Sequence, residues 1–223
     1  MSHYFSRARI IARPRDSELL QTLARHGAAY RDHALVWQLF PGDGEPRDFV
    51  FRAQTQDDGG LVYYVVSRRL PQADPGLFSV QTKPYSPALD EGEVVRFDLR
   101  ANPTVSRRVE GGPSRRHDVL MDAKRAVAGG GDARSAEVNA AAMRWLVDRS
   151  AAWGLNVDAG TVQQSAYQQH RLRRKGEDIT YSSLDYQGLA RVADSKALQD
   201  ALCHGVGHAK GFGCGLLLVK RLG

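Results

Sequence analysis

The succession of strand-like and helix-like stretches predicts an α+β fold: two tandem ferredoxin-like (RRM-like) domains, each an antiparallel sheet with helices on one face, spanning 1–92 and 93–223. Three observations carry that expectation. The second half reads β-α-β-β-α-β, the ferredoxin-like order. The first half reads β-α-β-β with a poorly marked ending, a degraded copy of the same pattern. The chain has 223 residues, room for one large domain or two of about 100 residues each.

Tyr4 to Arg13 alternates apolar and polar side chains, the period of a half-buried strand. Asp16 or Ser17 can cap the helix that follows, which carries Leu19, Leu20 and Leu23; Gly27 interrupts it. A second helix runs from Ala28 to Phe40 and ends at Pro41. Phe49 to Gln54 and Leu61 to Arg68 are strands of a hairpin around Gln56-Asp57-Asp58-Gly59-Gly60, and Val80 to Lys83 adds a short strand. Val94 to Ala101 opens the second half as a strand. Residues 103–134 are rich in arginine and glycine and read mostly as mobile loop. Ser135 can cap a helix from Ala136 to about Ala152 that carries Val138, Met143, Trp145 and Leu146. Val162 to Arg173 and Ile179 to Val192 are long strands around a turn from Lys175 to Asp178. Ser195 to Leu202 is a short helix, and Leu216 to Leu222 is the last strand.

Composition narrows the function classes. Hydrophobic residues make up 42% and charged residues 25%, which suits a globular chain. Lys and Arg number 31 against 25 Asp and Glu, a net +6, so the placement of the basic residues matters more than their sum. No run of about 18 apolar residues occurs, so no membrane partner is expected. The first residues lack a signal-peptide core. Only two cysteines are present, Cys203 and Cys214, which fits a reducing, cytoplasmic setting and not a disulfide framework.

The densest chemical signal is Gly205-Val-Gly207-His208-Ala-Lys210-Gly211-Phe-Gly213-Cys-Gly215, just before an apolar run. Such a loop can bring backbone amides against an anion, and Lys210 adds a full charge. An ordinary helix cap and turn is the plainer account, and five glycines exceed what a cap needs. No Gly-Lys-Ser/Thr follows, so this is not a P-loop, and it leads into a strand, so it is not a dinucleotide fingerprint. A second candidate is the helix face shared by Tyr30, His33 and Trp37. A histidine there can exchange protons near neutral pH, and a tyrosine beside it can orient a phosphate or sugar oxygen. The same spacing also describes an apolar core stripe. His204 and His208 with Cys203 and Cys214 match no standard zinc spacing, and no dense carboxylate cluster suggests a two-metal site, so neither metal nor cofactor is expected. Basic residues gather twice. Arg107, Arg108, Arg115, Arg116, Lys124 and Arg125 lie in the middle stretch; His170, Arg171, Arg173, Arg174 and Lys175 lie on or beside a hairpin tip. The tip suits phosphate contacts, which make binding salt-dependent.

These pieces together resemble a known family. Tyr30-x-x-His33, then Leu35-x-Trp37-x-Leu39-Phe40-Pro41 and Arg47-Asp48-Phe49-x-Phe51, resembles the N-terminal region of the CasE-type CRISPR-associated endoribonucleases of subtype I-E systems, in the RAMP superfamily. Lys83-Pro84-x-x-Pro87-x-Leu89 with Gly92, Arg96-Phe97-x-Leu99-Arg100-Ala101-Asn102-Pro103, and Gly205-x-Gly207-x5-Gly213-x-Gly215 are similar to that family's later motifs, in the same order. The resemblance implies two ferredoxin-like domains that bind the stem-loop of a CRISPR repeat transcript. It implies metal-independent cleavage at the 3′ base of the stem by the 2′-hydroxyl, leaving a 2′,3′-cyclic phosphate. The enzyme then stays on the mature guide RNA among the other subunits of the Cascade complex, with no DNA contact expected for the subunit alone. It puts the catalytic histidine at His33 and its tyrosine neighbour at Tyr30. It places the stem-binding basic hairpin around Arg171 to Lys175. The residue after His33 is Ala34 where a relative has arginine, so a phosphate contact must come from elsewhere. RNA-binding candidates are therefore Arg107, Arg108, Arg115, Arg116, Arg171, Arg173, Arg174, Lys175, Gly205, Gly207, His208, Lys210, Gly211 and Gly213. A non-catalytic RNA-binding subunit on the same frame is the alternative, with Tyr30 and His33 as core.

Overall fold

The computed structural model describes residues 2–13, 17–24, 27–42, 45–108, 112, 114–127, 131–174 and 177–222, without the side chains of 24, 172–174, 177 and 178. It is an α+β structure built on two antiparallel sheets. The first contains β1 (His3–Ile10), β2 (Phe49–Thr55), β3 (Leu61–Ser67) and β4 (Phe78–Tyr85), in the order β2-β3-β1-β4. Helices α1 (Glu18–Ala24) and α2 (Ala28–Trp37) join β1 to β2. The Ser17 hydroxyl accepts from the Leu20 amide at the start of α1; Asp16, the other expected cap, lies outside the described residues.

The alternation of β2 and β3 decides the layers. Phe49, Phe51, Tyr63 and Val65 point to one face, where they pack with Leu35, Val36, Leu39 and Phe40 of α2 and its end. Val50 and Val66 point the other way, against Leu216 and Leu218 of the second half. Because β2 and β3 are covered on both faces, they read as near-continuous apolar runs.

The second sheet has β5 (Val94–Ala101) between β11 (Leu217–Arg221) and β10 (Glu177–Val192); β8 (Leu155–Val157) and β9 (Gln163–Arg174) both pair with β10. Val95, Phe97, Leu99 and Ala101 face a core shared with α4 (Gly131–Ser150) and α5 (Ser195–His204). The alternate β5 residues, Asp98 and Arg100, face the first sheet. There Arg52 of β2 pairs with both Asp98 and Asp185, and Arg100 makes a two-bond pair with Asp185 at 2.7 and 2.8 Å. The two sheets therefore meet through an apolar patch and a network of charges, with helices on the outer faces.

The expectation of mobile loop over 103–134 is overturned. The segment forms a hairpin, β6 (Thr104–Arg107) and β7 (Arg115–Asp118), then α3 (Val119–Ala126) and the first turn of α4. Asp118 explains the order. One carboxylate oxygen caps α3 by accepting from the Leu120 and Met121 amides, and the other accepts from the Ser182 amide and hydroxyl. Leu120 and Ala123 are buried in the core, and the Trp145 indole donates to the Thr104 carbonyl at 3.1 Å. Gly111, Pro113 and Gly129 lie outside the described residues, as do Lys175 and Gly176 of the expected turn.

Candidate functional site

Helix α2 presents two adjoining faces. Ala29, Asp32, Leu35 and Val36 are buried. Tyr30, His33 and Trp37 sit on the margin beside them and are half-buried. The Tyr63 hydroxyl donates to Asp32 at 2.9 Å, and Arg31 pairs with the same carboxylate. Burial dominates and pushes the Asp32 carboxyl above its ordinary value.

The His33 margin faces the glycine loop of the second half. His33 Nδ1 lies 2.7 Å from the Gly211 carbonyl oxygen, and the Phe212 ring centroid is 5.6 Å from the imidazole. Phe212 stacks on Tyr181 of β10, and Tyr181 stacks on His170 of β9 at 4.4 Å. A column of rings thus runs from α2 to the long hairpin. Tyr30 packs with Ala29, Tyr181 and Cys214 at its foot. His33, Trp37, Arg47, Gly207, His208 and Lys210 line an open cleft of about 550 Å³.

The cleft is electropositive. Burial, then the charges of Arg116, Lys210 and Arg149, holds His208 below the ordinary imidazole range. Burial, then the Arg47 guanidinium, holds the Lys210 ammonium below the usual lysine value. Lys210 does not reach outward: Nζ donates to the His204 and Gly205 carbonyls at 3.0 and 2.8 Å and closes the end of α5. That use competes with the expected hold on an RNA backbone.

The glycines divide by role. Gly205 terminates α5 with φ 69° and ψ 167°, and its amide donates to the Ala201 carbonyl. A Cβ there would lie 2.8 Å from the Gly215 carbonyl oxygen and from Val50. Gly205 therefore serves the turn that ends α5, packed against Val50, and not a ligand. Gly213 also packs inward, against Phe51. A Cβ added at Gly207 would meet nothing within 4 Å, and Gly211 faces Arg47 and His33, so these two front the cleft.

The basic residues are dispersed. Arg107 pairs with Asp122 at 2.9 Å and lines a separate cleft with Arg125, Glu137 and Arg144. Arg108, Arg115 and Arg116 are exposed on or beside the β6–β7 hairpin, and Arg116 reaches the field at His208. Arg171 is exposed on β9. The Arg173 and Arg174 side chains and Lys175 lie outside the described residues. Among the described residues no group of three or more His, Cys, Asp or Glu comes together as a metal-ligand set, and no helix is long and apolar enough to cross a membrane. Sequence reasoning gives Arg47 no role. Its only local signal is a place in the Arg47-Asp48-Phe49 motif; the fold alone brings it beside His33.

Comparison with known proteins bears on this arrangement. Residues 3–221 match the model of a family described as CRISPR associated protein. The chain is similar to the CRISPR system Cascade subunit CasE of Escherichia coli (strain K12), 24% identical over 199 residues, covering 86% of this chain and 92% of that one. It is 27% identical over 196 residues to the CRISPR-associated endoribonuclease Cse3 of Thermus thermophilus, covering 83% of this chain and 79% of the relative. A solved structure of Thermus thermophilus Cse3, bound to an RNA representing a pre-cleavage complex, has the same fold, with a TM-score of 0.70 at 23% identity over 99% of this chain and 100% of that one. With nearly its whole length matched in order, the chain belongs to the CRISPR associated protein family and is of the CasE type.

Proposed function

We propose that this chain is an endoribonuclease that cuts the stem-loop of CRISPR repeat RNA and remains on the product as a subunit of Cascade. The activity of one relative and the assembly of the other support this reading. We read the two sheets as ferredoxin-like domains over 1–92 and 93–223. The strand order supports that division, since each sheet runs last-first-penultimate-second among its own strands, with β9 added on β10 in the second, and β4 ends at Tyr85 before β5 begins at Val94.

The observation that carries the reading is His33, half-exposed at the cleft with Nδ1 against the Gly211 carbonyl. A carbonyl only accepts, so this contact keeps a proton on Nδ1 and leaves Nε2 as the basic nitrogen of the neutral ring. RNA carries its own nucleophile. The 2′-hydroxyl loses its proton and its oxygen bonds to phosphorus. The bond from phosphorus to the 5′ oxygen breaks, and that oxygen takes up a proton. The products are a 2′,3′-cyclic phosphate and a 5′-hydroxyl. An imidazole serves the first transfer when neutral and the second when charged. Tyr30, one turn earlier, positions the 2′-hydroxyl or the phosphate, and the ring column leads toward the β9–β10 hairpin that meets the stem. The A-form major groove is deep and narrow, so a thin basic hairpin fits best at the stem end.

The test is a gel assay with the repeat RNA of the chain's own locus and the same RNA carrying a 2′-deoxy sugar at the cut. The first is expected to be cut and the second spared, with no effect of EDTA. His33→Ala is expected to lose about 10² to 10⁴ in rate while stem-loop binding survives. Cleavage of the deoxy substrate, or full activity of His33→Ala, would overturn the reading.

A further inference from the structure

We infer that Arg47 is a catalytic residue of this site, its guanidinium taking the negative charge that develops on the non-bridging oxygens of the scissile phosphate. The inference rests on the endoribonuclease reading and names a group that reading leaves out.

Arg47 stands two residues before β2, directly opposite the glycine loop. Its Nη1 lies 3.0 Å from where a Cβ of Gly211 would sit, and His33 Nδ1 lies 3.6 Å from the same point. The guanidinium and the imidazole are therefore separated by about the width of one glycine. Both line the cleft.

The less exposed arginines have carboxylates: Arg52 with Asp98 and Asp185, Arg100 with Asp185, Arg31 with Asp32; Arg47 is exposed at the cleft. Asp48, next to Arg47 in sequence, is taken by Arg69 at 3.0 and 3.1 Å. Among the described residues nothing accepts a hydrogen bond from Arg47 or pairs with its charge, although burial lowers its pKa from the ordinary arginine value. An exposed guanidinium at the cleft without a counter-charge is open to a phosphate, which it can hold by charge-assisted hydrogen bonds.

The same cleft offers no better donor among its described side chains. The Lys210 ammonium is spent on two carbonyls at the end of α5. His208 is held toward its neutral form by burial and by Arg116. Arg47 remains as a fixed charge with a planar fork that matches two phosphate oxygens. Attack by the 2′-oxygen adds negative charge to those oxygens before the 5′-oxygen leaves, so a donor placed there acts on the transition state more than on binding.

The experiment measures single-turnover cleavage of the locus repeat stem-loop, affinity for its 2′-deoxy form, and the unfolding midpoint, for wild type, Arg47→Ala and Arg47→Lys. Arg47→Ala is expected to lose about 10² to 10³ in rate, with affinity for the uncut RNA falling less than about threefold. Ethylguanidinium in solution is expected to restore part of the Arg47→Ala rate, which a merely structural role would not produce. Arg47→Lys keeps the charge without the fork and is expected to lose about tenfold in rate. It carries the test if Arg47→Ala lowers the unfolding midpoint. Rates within about threefold of wild type in both variants overturn the inference; so does a loss of affinity as large as the loss of rate. Wild type that fails to cut the repeat RNA overturns the endoribonuclease reading itself, a different outcome from cutting that ignores Arg47.

Discussion

Replacing Gly205 with alanine separates the folding role of the glycine loop from its ligand role. The backbone at Gly205 has φ 69° and ψ 167°, a region open essentially to glycine alone, which costs another residue about 1–3 kcal/mol. The new methyl would lie 2.8 Å from both the Gly215 carbonyl oxygen and the Val50 side chain. That carbonyl accepts from the Val206 amide at 2.8 Å, and displacing it forfeits about 1 kcal/mol more. Summed, Gly205→Ala is expected to cost roughly 2–4 kcal/mol. Gly207→Ala is the control. Its φ is 66°, and nothing lies within 4 Å of the added carbon, so it pays only left-handed backbone strain, about 1–2 kcal/mol. Urea unfolding followed by tryptophan fluorescence gives both values, and anisotropy with labelled repeat RNA gives affinity. Gly205→Ala is expected to lose stability and, with it, binding; Gly207→Ala is expected to stay folded and lose affinity through the methyl at the cleft. If Gly205→Ala were no more destabilising than Gly207→Ala, the assignment of Gly205 to the turn would fail.

Arg52→Met should cost about 2 kcal/mol in urea unfolding, less than the roughly 3–5 kcal/mol of a buried pair left without any partner, because Asp185 keeps Arg100 and Asp98 keeps Gln187 at 3.0 Å; no measurable loss would remove the charge network from the forces joining the sheets. Asp32→Ala strands the buried Tyr63 hydroxyl and should cost about 1–3 kcal/mol, whereas Asp32→Asn keeps an acceptor and relieves a buried charge. Equal losses in the two variants would contradict that account. Burial, then Arg100, holds His170 below the ordinary imidazole value. As pH falls through about 6.5 the unfolded chain takes up a proton that the folded ring resists, so stability falls with pH. His170→Gln should make the fall in melting temperature between neutral and mildly acidic pH shallower, and an unchanged slope would refute the assignment.

Much of the framework is legible in the sequence because period-2 alternation is a local property. Tyr4 onward, Val94 to Ala101 and the long pair flanking residue 175 read as strands for that reason. The stretch 103–134 reads wrongly as loop because its order comes from distant partners. Asp118 spans α3 and Ser182, and Trp145 anchors Thr104, so arginine- and glycine-rich composition hides a hairpin and a helix. The three-residue β8 escapes a sequence reading because so short a run carries no period.

The site divides the same way. Helical spacing puts Tyr30, His33 and Trp37 on one face, but it does not say whether that face is core. The structure buries the adjoining face, Asp32, Leu35 and Val36, and turns His33 to the glycine loop. The sequence by itself determined the alternating strands, the helix that carries the imidazole and a glycine-dense loop before the last strand, because each depends on neighbours a few positions away. Tertiary structure decided which glycines close a turn and which front a cleft, that Lys210 is spent on a helix end, and that Arg47 stands beside His33. Those outcomes depend on how the two halves of the chain pack together, where charge and volume are settled by distant contacts and no local pattern records the result.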